Sequence, residues 1–289
     1  MKARETTPEM RPVDTARPWT PGNSSVASSV RGDHLAQWLP SAGLVVAALA
    51  IWQVAAAALQ VPRWLLPSPT DIAEAMVTNR NPLLRHTWVT LEEVLVGFAL
   101  AFAVGVALAI AIAYSRTLER TIYPFVIASQ TVPVVAIAPI LLIWFGYGLL
   151  PKVIVVALIC FFPITVNMVD GLRSVDPELV SLMRTMGASR WQIFSKAQLP
   201  TSLPFLFSGT KVSIAVSVIG AVIGEWVGAS AGLGYYMVRS ASQFQTAAVF
   251  GAIVVLSALG IALFALVALL ERRALPWYHQ ARKGNDSEY

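Results

Sequence analysis

Few side chains in this 289-residue chain are of a kind that does chemistry, and their spacing excludes most of it. His34, His86 and His279 lie too far apart in sequence for a metal-ligand set, and the single cysteine, Cys160, sits within an apolar run. No Ser, His and Asp combination suggests a nucleophile with its base. The stretch Gly209–Thr210–Lys211 lacks the first glycine and the trailing hydroxyl residue of a phosphate-binding loop, so no ATP site of that kind is expected. What remains are four polar residues inside apolar runs, Gln130, Thr131, Lys211 and Glu225. Ionisable groups in such places are costly and usually functional. Their chemistry would be to line a path, with Glu225 at its outer end and the other three toward its inner end. The structural alternatives are that Lys211 snorkels, that Glu225 meets water or a loop amine, and that Gln130 and Thr131 satisfy nearby backbone. No catalytic set emerges, and no cofactor or metal is expected on this chain.

The elements that carry these residues belong to a bilayer. Hydrophobic residues make up 56% of the chain and charged residues 13%, against about 25% charged in a soluble domain. A hydrocarbon layer about 30 Å thick takes ~20 apolar helical residues. Runs at 41–59, 94–114, 122–145, 153–169, 203–227 and 244–270 predict six transmembrane helices in an all-α membrane protein. Pro124, Pro133 and Pro139 predict that the third is kinked or broken. Gly220, Gly224 and Gly228 form a small-residue ridge that lets a neighbouring helix approach. The transmembrane domain covers 39–275, flanked by a Pro-, Ser- and Arg-rich tail at 1–38, expected to be disordered, and a short C-terminal tail at 276–289.

Of the 21 Lys and Arg residues, five (Arg63, Arg80, Arg85, Lys152, Arg239) fall in one set of connectors and Lys211 falls in a span; the rest fall in the tails and the opposite connectors. The positive-inside rule therefore puts both termini in the cytoplasm. The net charge of +5 reflects this asymmetry, and no nucleic-acid partner is expected.

The inner connector at 176–200 is the most informative segment. Asp176 is a helix cap, Pro177 fits the first helical position, and Gly187 fits a terminus that needs positive φ. Ser189 and Gln192 suit a capping box for a second helix, expected to end at Pro200. Leu179, Leu182, Met183 and Met186 recur at helical spacing, as do Trp191, Phe194 and Ala197, with Arg184, Arg190 and Lys196 largely off the stripe. Such a hairpin either lies on the inner leaflet or docks a protein.

Gly187, nine residues, Ala197, one residue, then Leu199–Pro200 resembles the cytoplasmic signature of ABC importer permeases. Arg184–Thr185 and the run Gly187–Ala188–Ser189 add to the likeness. Ser181, Leu182 and Met183 replace the family's E-A-A, and Ala197 replaces its isoleucine. LLPSPTDIAEAM (65–76), GFALAFAVGVALA (97–109), TVPVVAIAPILLIWFG (131–146) and EWVGASAGLGYYM (225–237) resemble the branch with nitrate, sulfonate and taurine permeases. Residues 143–167 are similar to permeases for thiamine-precursor pyrimidines and riboflavin. The resemblance implies a type I importer bundle of the bacterial inner membrane whose coupling helix, with Arg184, Thr185, Gly187, Ala188, Ser189, Leu199 and Pro200, docks an ATPase. It also implies a second copy of the chain, two ATPase subunits carrying ATP and Mg, and an extracytoplasmic binding protein that delivers a small solute. The competing class is a stand-alone channel or secondary carrier, which needs no docking element.

Overall fold

The computed structural model describes residues 33–59 and 61–278. Most of the expected N-terminal tail, and 279–289 of the C-terminal one, lie outside the described residues. Two compact units are present, Met1–Ile51 and Trp52–Tyr289. In the first, the described residues belong to α1 (Asp33–Ala58), which continues past the unit boundary. Its start corrects the expected edge of the tail, because the helix-forming stretch Leu35–Leu39 extends the apolar run backward. Leu44, Val46 and Ile51 are 73%, 65% and 70% exposed, which suits a helix surface solvated by lipid.

The second unit is built around α6 (Leu149–Arg173). Val156, Cys160, Ile164, Met168 and Leu172 recur every fourth residue and are essentially inaccessible, so one ridge of α6 forms the centre of the core. α3 (Arg80–Tyr114) and α9 (Leu199–Trp226) pack against it. In place of a larger hydrophobic driving force, small residues let the backbones close. A Cβ on Gly97 would stand 2.6 Å from that of Val156, and one on Gly105 3.2 Å from Ile164. On the other side, Gly220 faces Val156 and Gly224 faces Lys152, as the small-residue ridge predicted, and Gly209 faces Pro163. Ser213 Oγ donates to the Cys160 carbonyl at 2.9 Å, and Cys160 Sγ donates to that of Ser213 at 3.3 Å.

These registers fix the directions of the chain. Residue pairs 97/156 and 105/164 increase together, so α3 and α6 are parallel. Pairs 224/152 and 209/163 run oppositely, so α9 is antiparallel to α6. α11 (Thr246–Ala274) is in turn antiparallel to α9, with Gly260 beside Val218 and Glu271 beside Lys211. Parallel α3 and α6 require the intervening chain to recross once. It does so as α4 (Arg116–Ser129) and α5 (Val134–Phe145), bent by 99° at the break before Pro133. Pro124 and Pro139 stay inside their helices, so only one of the three prolines breaks the span. Ser129 and Thr131 hydroxyls donate to the Val126 and Ala128 carbonyls near the break, at 2.7 and 2.8 Å.

Among the described residues, four helices are long and apolar enough to span, and the bent pair makes five. The sixth expected span corresponds to the shorter apolar stretch Gly43–Ala58. α3 also extends well beyond the expected 94–114; its 35 residues are about 52 Å long, so it protrudes from the hydrocarbon.

Short elements cap the two ends. α7 (Pro177–Thr185) and α8 (Arg190–Ile193) join the end of α6 to the start of α9. At the opposite end lie α2 (Pro69–Thr78), which precedes α3, and α10 (Leu233–Ser242), which joins α9 to α11. α2 starts at a capping box in which Ser68 and Asp71 exchange hydrogen bonds. Those bonds hold the Asp71 carboxyl below the ordinary carboxylate range. The box is therefore intact at neutral pH and lost only as the pH falls through that lowered value.

Candidate functional site

The connector at 176–200 folds as an elbow whose angle is set by local chemistry. Asp176 Oδ1 accepts the Glu178 amide at 2.8 Å and opens α7 after the helix-initiating Pro177. α7 closes with paired bonds, Ala188 N–H to the Met183 carbonyl at 2.9 Å and Gly187 N–H to that of Arg184 at 3.0 Å. This is the glycine-terminated helix end in which two orphan carbonyls are satisfied at once, and it requires φ +81° at Gly187. Two residues later the Ser189 N–H donates to Gln192 Oε1 at 2.7 Å while Ser189 Oγ accepts the Gln192 amide at 3.3 Å, the expected capping box. Ala188 alone separates the two caps, so the turn is short and stiff.

Pro200 departs from expectation. It does not end the second helix: α8 passes through a π-helical turn, Phe194–Gln198, directly into α9. A proline lacks an N–H and its ring crowds the carbonyl four residues back. The wider turn, with Leu199 N–H donating to the Phe194 carbonyl, supplies the extra residue that lets Pro200 sit within the first turn of α9. The elbow is thereby joined rigidly to the long helix α9.

One arm is anchored and the other is free. Phe194 is buried and meets Tyr114 at the end of α3 edge-on at 5.5 Å. Arg173, at the base of the elbow, pairs with Glu119 at 3.1 Å and stacks over the Tyr123 ring, tying α6 to α4. α7, by contrast, buries none of its residues. Leu182 is 57% exposed, Met186 78% and Trp191 70%, so the α7 part of the apolar stripe and Trp191 face outward, whereas Phe194 and Ala197 of the second part are buried against the bundle. Arg184, Thr185, Gly187 and Ser189 are exposed beside it, Ala188 is half-buried, and Leu199 and Pro200 are half-buried at the start of α9.

The residues expected to line a path are distributed differently. Gln130 and Thr131 are exposed at the α4–α5 bend, and the Thr131 hydroxyl is bound to backbone. Lys211 pairs with Glu271 of α11 at 2.8 Å instead of reaching the headgroups. Glu225 corrects the expectation of a group bordering an open path. It is 1% exposed, and its carboxylate accepts the Thr90 hydroxyl at 2.6 Å and the Gly234 amide.

That bond belongs to a buried cluster at the end opposite the elbow. Three successive N–H groups at the start of α10 are taken by three side chains: Gly232 by His86 Nδ1 at 3.0 Å, Leu233 by Thr90 Oγ1 at 2.8 Å, and Gly234 by Glu225. A helix start leaves such donors orphaned, and here α3 and α9 satisfy them, fixing α10 across their ends. Gly232 has φ +111°, and a Cβ there would overlap the Glu225 carboxylate. Beside Glu225 lies Glu93, also 1% exposed, paired with Lys152 of α6 at 2.5 Å. Sequence reasoning missed Thr90, Glu93 and the burial of Lys152. The available signal was Glu92–Glu93 at the outer edge of an apolar run, where helical geometry turns one carboxylate to the surface and the other into the bundle.

An all-helical bundle of long apolar helices, one of them bent, with a stiff elbow at one end defines a membrane-spanning protein. The chain belongs to the family of binding-protein-dependent transport system inner membrane components, whose profile matches residues 101–276. It is 41% identical over 230 residues to the formylaminopyrimidine transport permease protein ThiX of Halalkalibacterium halodurans, covering 79% of this chain and 92% of that one. The riboflavin transport system permease protein RibX of Chloroflexus aurantiacus is 39% identical over 87% of this chain and 96% of its own length. The putative aliphatic sulfonates transport permease protein SsuC of Bacillus subtilis is 32% identical over 83% and 88%. Among solved structures, a chain of the MetNI methionine ABC transporter, in an inward-facing conformation, superposes with a TM-score of 0.58 at 22% identity, covering 69% of this chain and 97% of that one. The last likeness concerns the fold alone.

Proposed function

We propose that the chain is the membrane half-pore of an ATP-driven importer, in which two copies work with two ATPase subunits and an extracytoplasmic binding protein. The observation that carries this reading is the elbow: a capped, stiff hairpin, continuous with α9, whose apolar face on α7 is exposed among the described residues. A partner at α7 would push on α9 and, through the close-packed α6, on the whole bundle. The chain itself performs no hydrolysis in this reading; ATP and Mg belong to the partner. Arg116, Arg120, Arg173, Arg184, Arg190, Lys196, Arg272 and Arg273 gather at the elbow end, which supports a cytoplasmic elbow and cytoplasmic termini. A cleft of about 680 Å³ between α5, α9 and α11, lined by Val135, Ile219, Trp226 and Phe264, supplies an uncovered apolar face for the second copy. The relatives named for a formylaminopyrimidine and for riboflavin favour a nitrogen heterocycle as the solute over a sulfonate.

Reconstitution tests the reading. Proteoliposomes holding the chain with its ATPase are expected to take up labelled formylaminopyrimidine or riboflavin only when ATP and the binding protein are both supplied. Leu182→Glu, on the free face of α7, is expected to lose the ATPase on purification and reduce uptake at least about tenfold, while the bundle melts normally. Uptake by the chain alone would instead support the channel or carrier.

A further inference from the structure

At the end opposite the elbow, the turn from α5 to α6 and the connection from α9 to α10 enclose a cleft of about 280 Å³. Tyr147, Gly148, Lys152, Gly228, Ala229 and Ser230 line it. Its form follows from its glycines. Gly146 and Gly148 take φ +74° and +144°, which lets the chain double back between α5 and α6 with Tyr147 at the tip of the turn. Tyr147 is 81% exposed, yet one edge of its ring lies over Gly228. A Cβ on Gly228 would stand 3.2 Å from that edge and 2.8 Å from Leu142. The ring is therefore one wall of the cleft, and only a glycine opposite leaves it room.

Charge decides which solutes the cleft takes. Its only charged lining residue is Lys152, 9% exposed and bonded to Glu93, with Glu225 beside that carboxylate. One buried cation against two carboxyl groups leaves no net positive charge to hold a sulfonate or another oxyanion. Hydrogen-bond donors remain. An ammonium has three, of which Glu93 takes one. α6 starts at Gly148 without a side-chain cap, so the N–H groups of its first turn have no side-chain partner, whereas those at the start of α10 are taken by His86, Thr90 and Glu225. The Ser230 hydroxyl likewise has no partner among the described residues. Size sets the scale: clefts for drug-sized ligands run to about 300–1,000 Å³. This one lies just below that range and holds a single ring, not a fused tricycle.

We infer that this cleft is an entry subsite that selects a neutral, single-ring solute bearing a carbonyl-type acceptor. The ring lies against Tyr147, and the acceptor takes hydrogen bonds from Lys152, Ser230 and the start of α6. This rests on the importer reading above and narrows it: a formylaminopyrimidine fits the cleft, whereas the fused rings of riboflavin exceed it. A seated solute touches the turn before α6 and the connection that leads into α10, so it bridges the two segments that meet at Gly228.

The test uses the permease with its ATPase in nanodiscs, without the binding protein, and measures equilibrium binding of labelled formylaminopyrimidine. The parent complex is expected to bind it saturably. Ser230→Trp, which fills the cleft, should weaken binding at least about tenfold. Tyr147→Ala should weaken it about fivefold, and Tyr147→Phe should retain it. Both positions are exposed, so all three variants should melt as the parent does. Riboflavin should compete at least about tenfold less well than unlabelled pyrimidine, and taurine not at all. No saturable binding by the parent, or binding indifferent to Ser230→Trp, overturns the proposal. So does taurine competing as well as the pyrimidine, since that marks an oxyanion site. ATP-dependent uptake with the binding protein present separates the two readings: uptake by the parent that survives a failed binding test sinks the subsite alone, and absence of ATP-dependent uptake sinks the importer reading.

Discussion

Lys152→Met is expected to destabilise the purified chain by about 3–5 kcal/mol, the cost of removing one partner from a buried ion pair. Glu93 is 1% exposed and loses its only cation, and its second carboxylate oxygen already lacks a hydrogen-bond partner. Glu225 lies beside it, so two carboxyls would share a low-dielectric site without a counter-charge. For a chain of this size the apparent melting temperature should fall by roughly 10 °C. Glu93→Gln in the same chain is expected to restore most of the loss, because replacing both members of a buried pair is far less costly than orphaning one. Thermal unfolding in one detergent, for the single and double variants, checks this. Equal melting of the single variant and the parent would contradict the buried pair.

Gly187→Val is expected to reduce coupled uptake at least about tenfold without unfolding the bundle. A Cβ on Gly187 would meet nothing within 4 Å, so the cost is conformational and not steric. A β-branched residue is a marked outlier at φ +81°, with a penalty of about 1–2 kcal/mol for the left-handed region. The chain can escape by rotating φ, which breaks the paired bonds from Gly187 and Ala188 to α7 and swings α7 away from α8. Gly187→Asn is the control, since Asn visits this region readily and should retain most of the uptake. ATP-dependent uptake with matched expression measures both variants.

The elbow was legible because its information is local. Asp176, Gly187, Ser189 and Gln192 each act on backbone groups within a few residues, so type and spacing were enough. Pro200 was misread because a π-helical turn admits a proline without ending the helix, and nothing in the adjacent residues announces it. The small-residue ridge of α9 was legible for the same local reason, although its partner, α6, was not. The buried cluster was only half visible. Glu225 stood out as a carboxylate in a span, but its partners Thr90 and Gly234 are 135 and nine residues away in sequence. Lys152 looked like one more outer-loop cation until α3 brought Glu93 against it. Lys211 likewise has its counter-ion 60 residues on, in the last turns of α11.

Met186 offers the most direct test of the central claim, that the elbow is a cytoplasmic dock for an ATPase. It is 78% exposed at the end of α7, and Cys160, the only native cysteine, is fully buried, so Met186→Cys supplies a single reactive thiol. Thiol-directed cross-linking in intact membranes is predicted to join this position to the ATPase subunit, and an impermeant maleimide added outside should leave it unlabelled. Labelling from outside, or no adduct while ATP-driven uptake proceeds, would contradict the account.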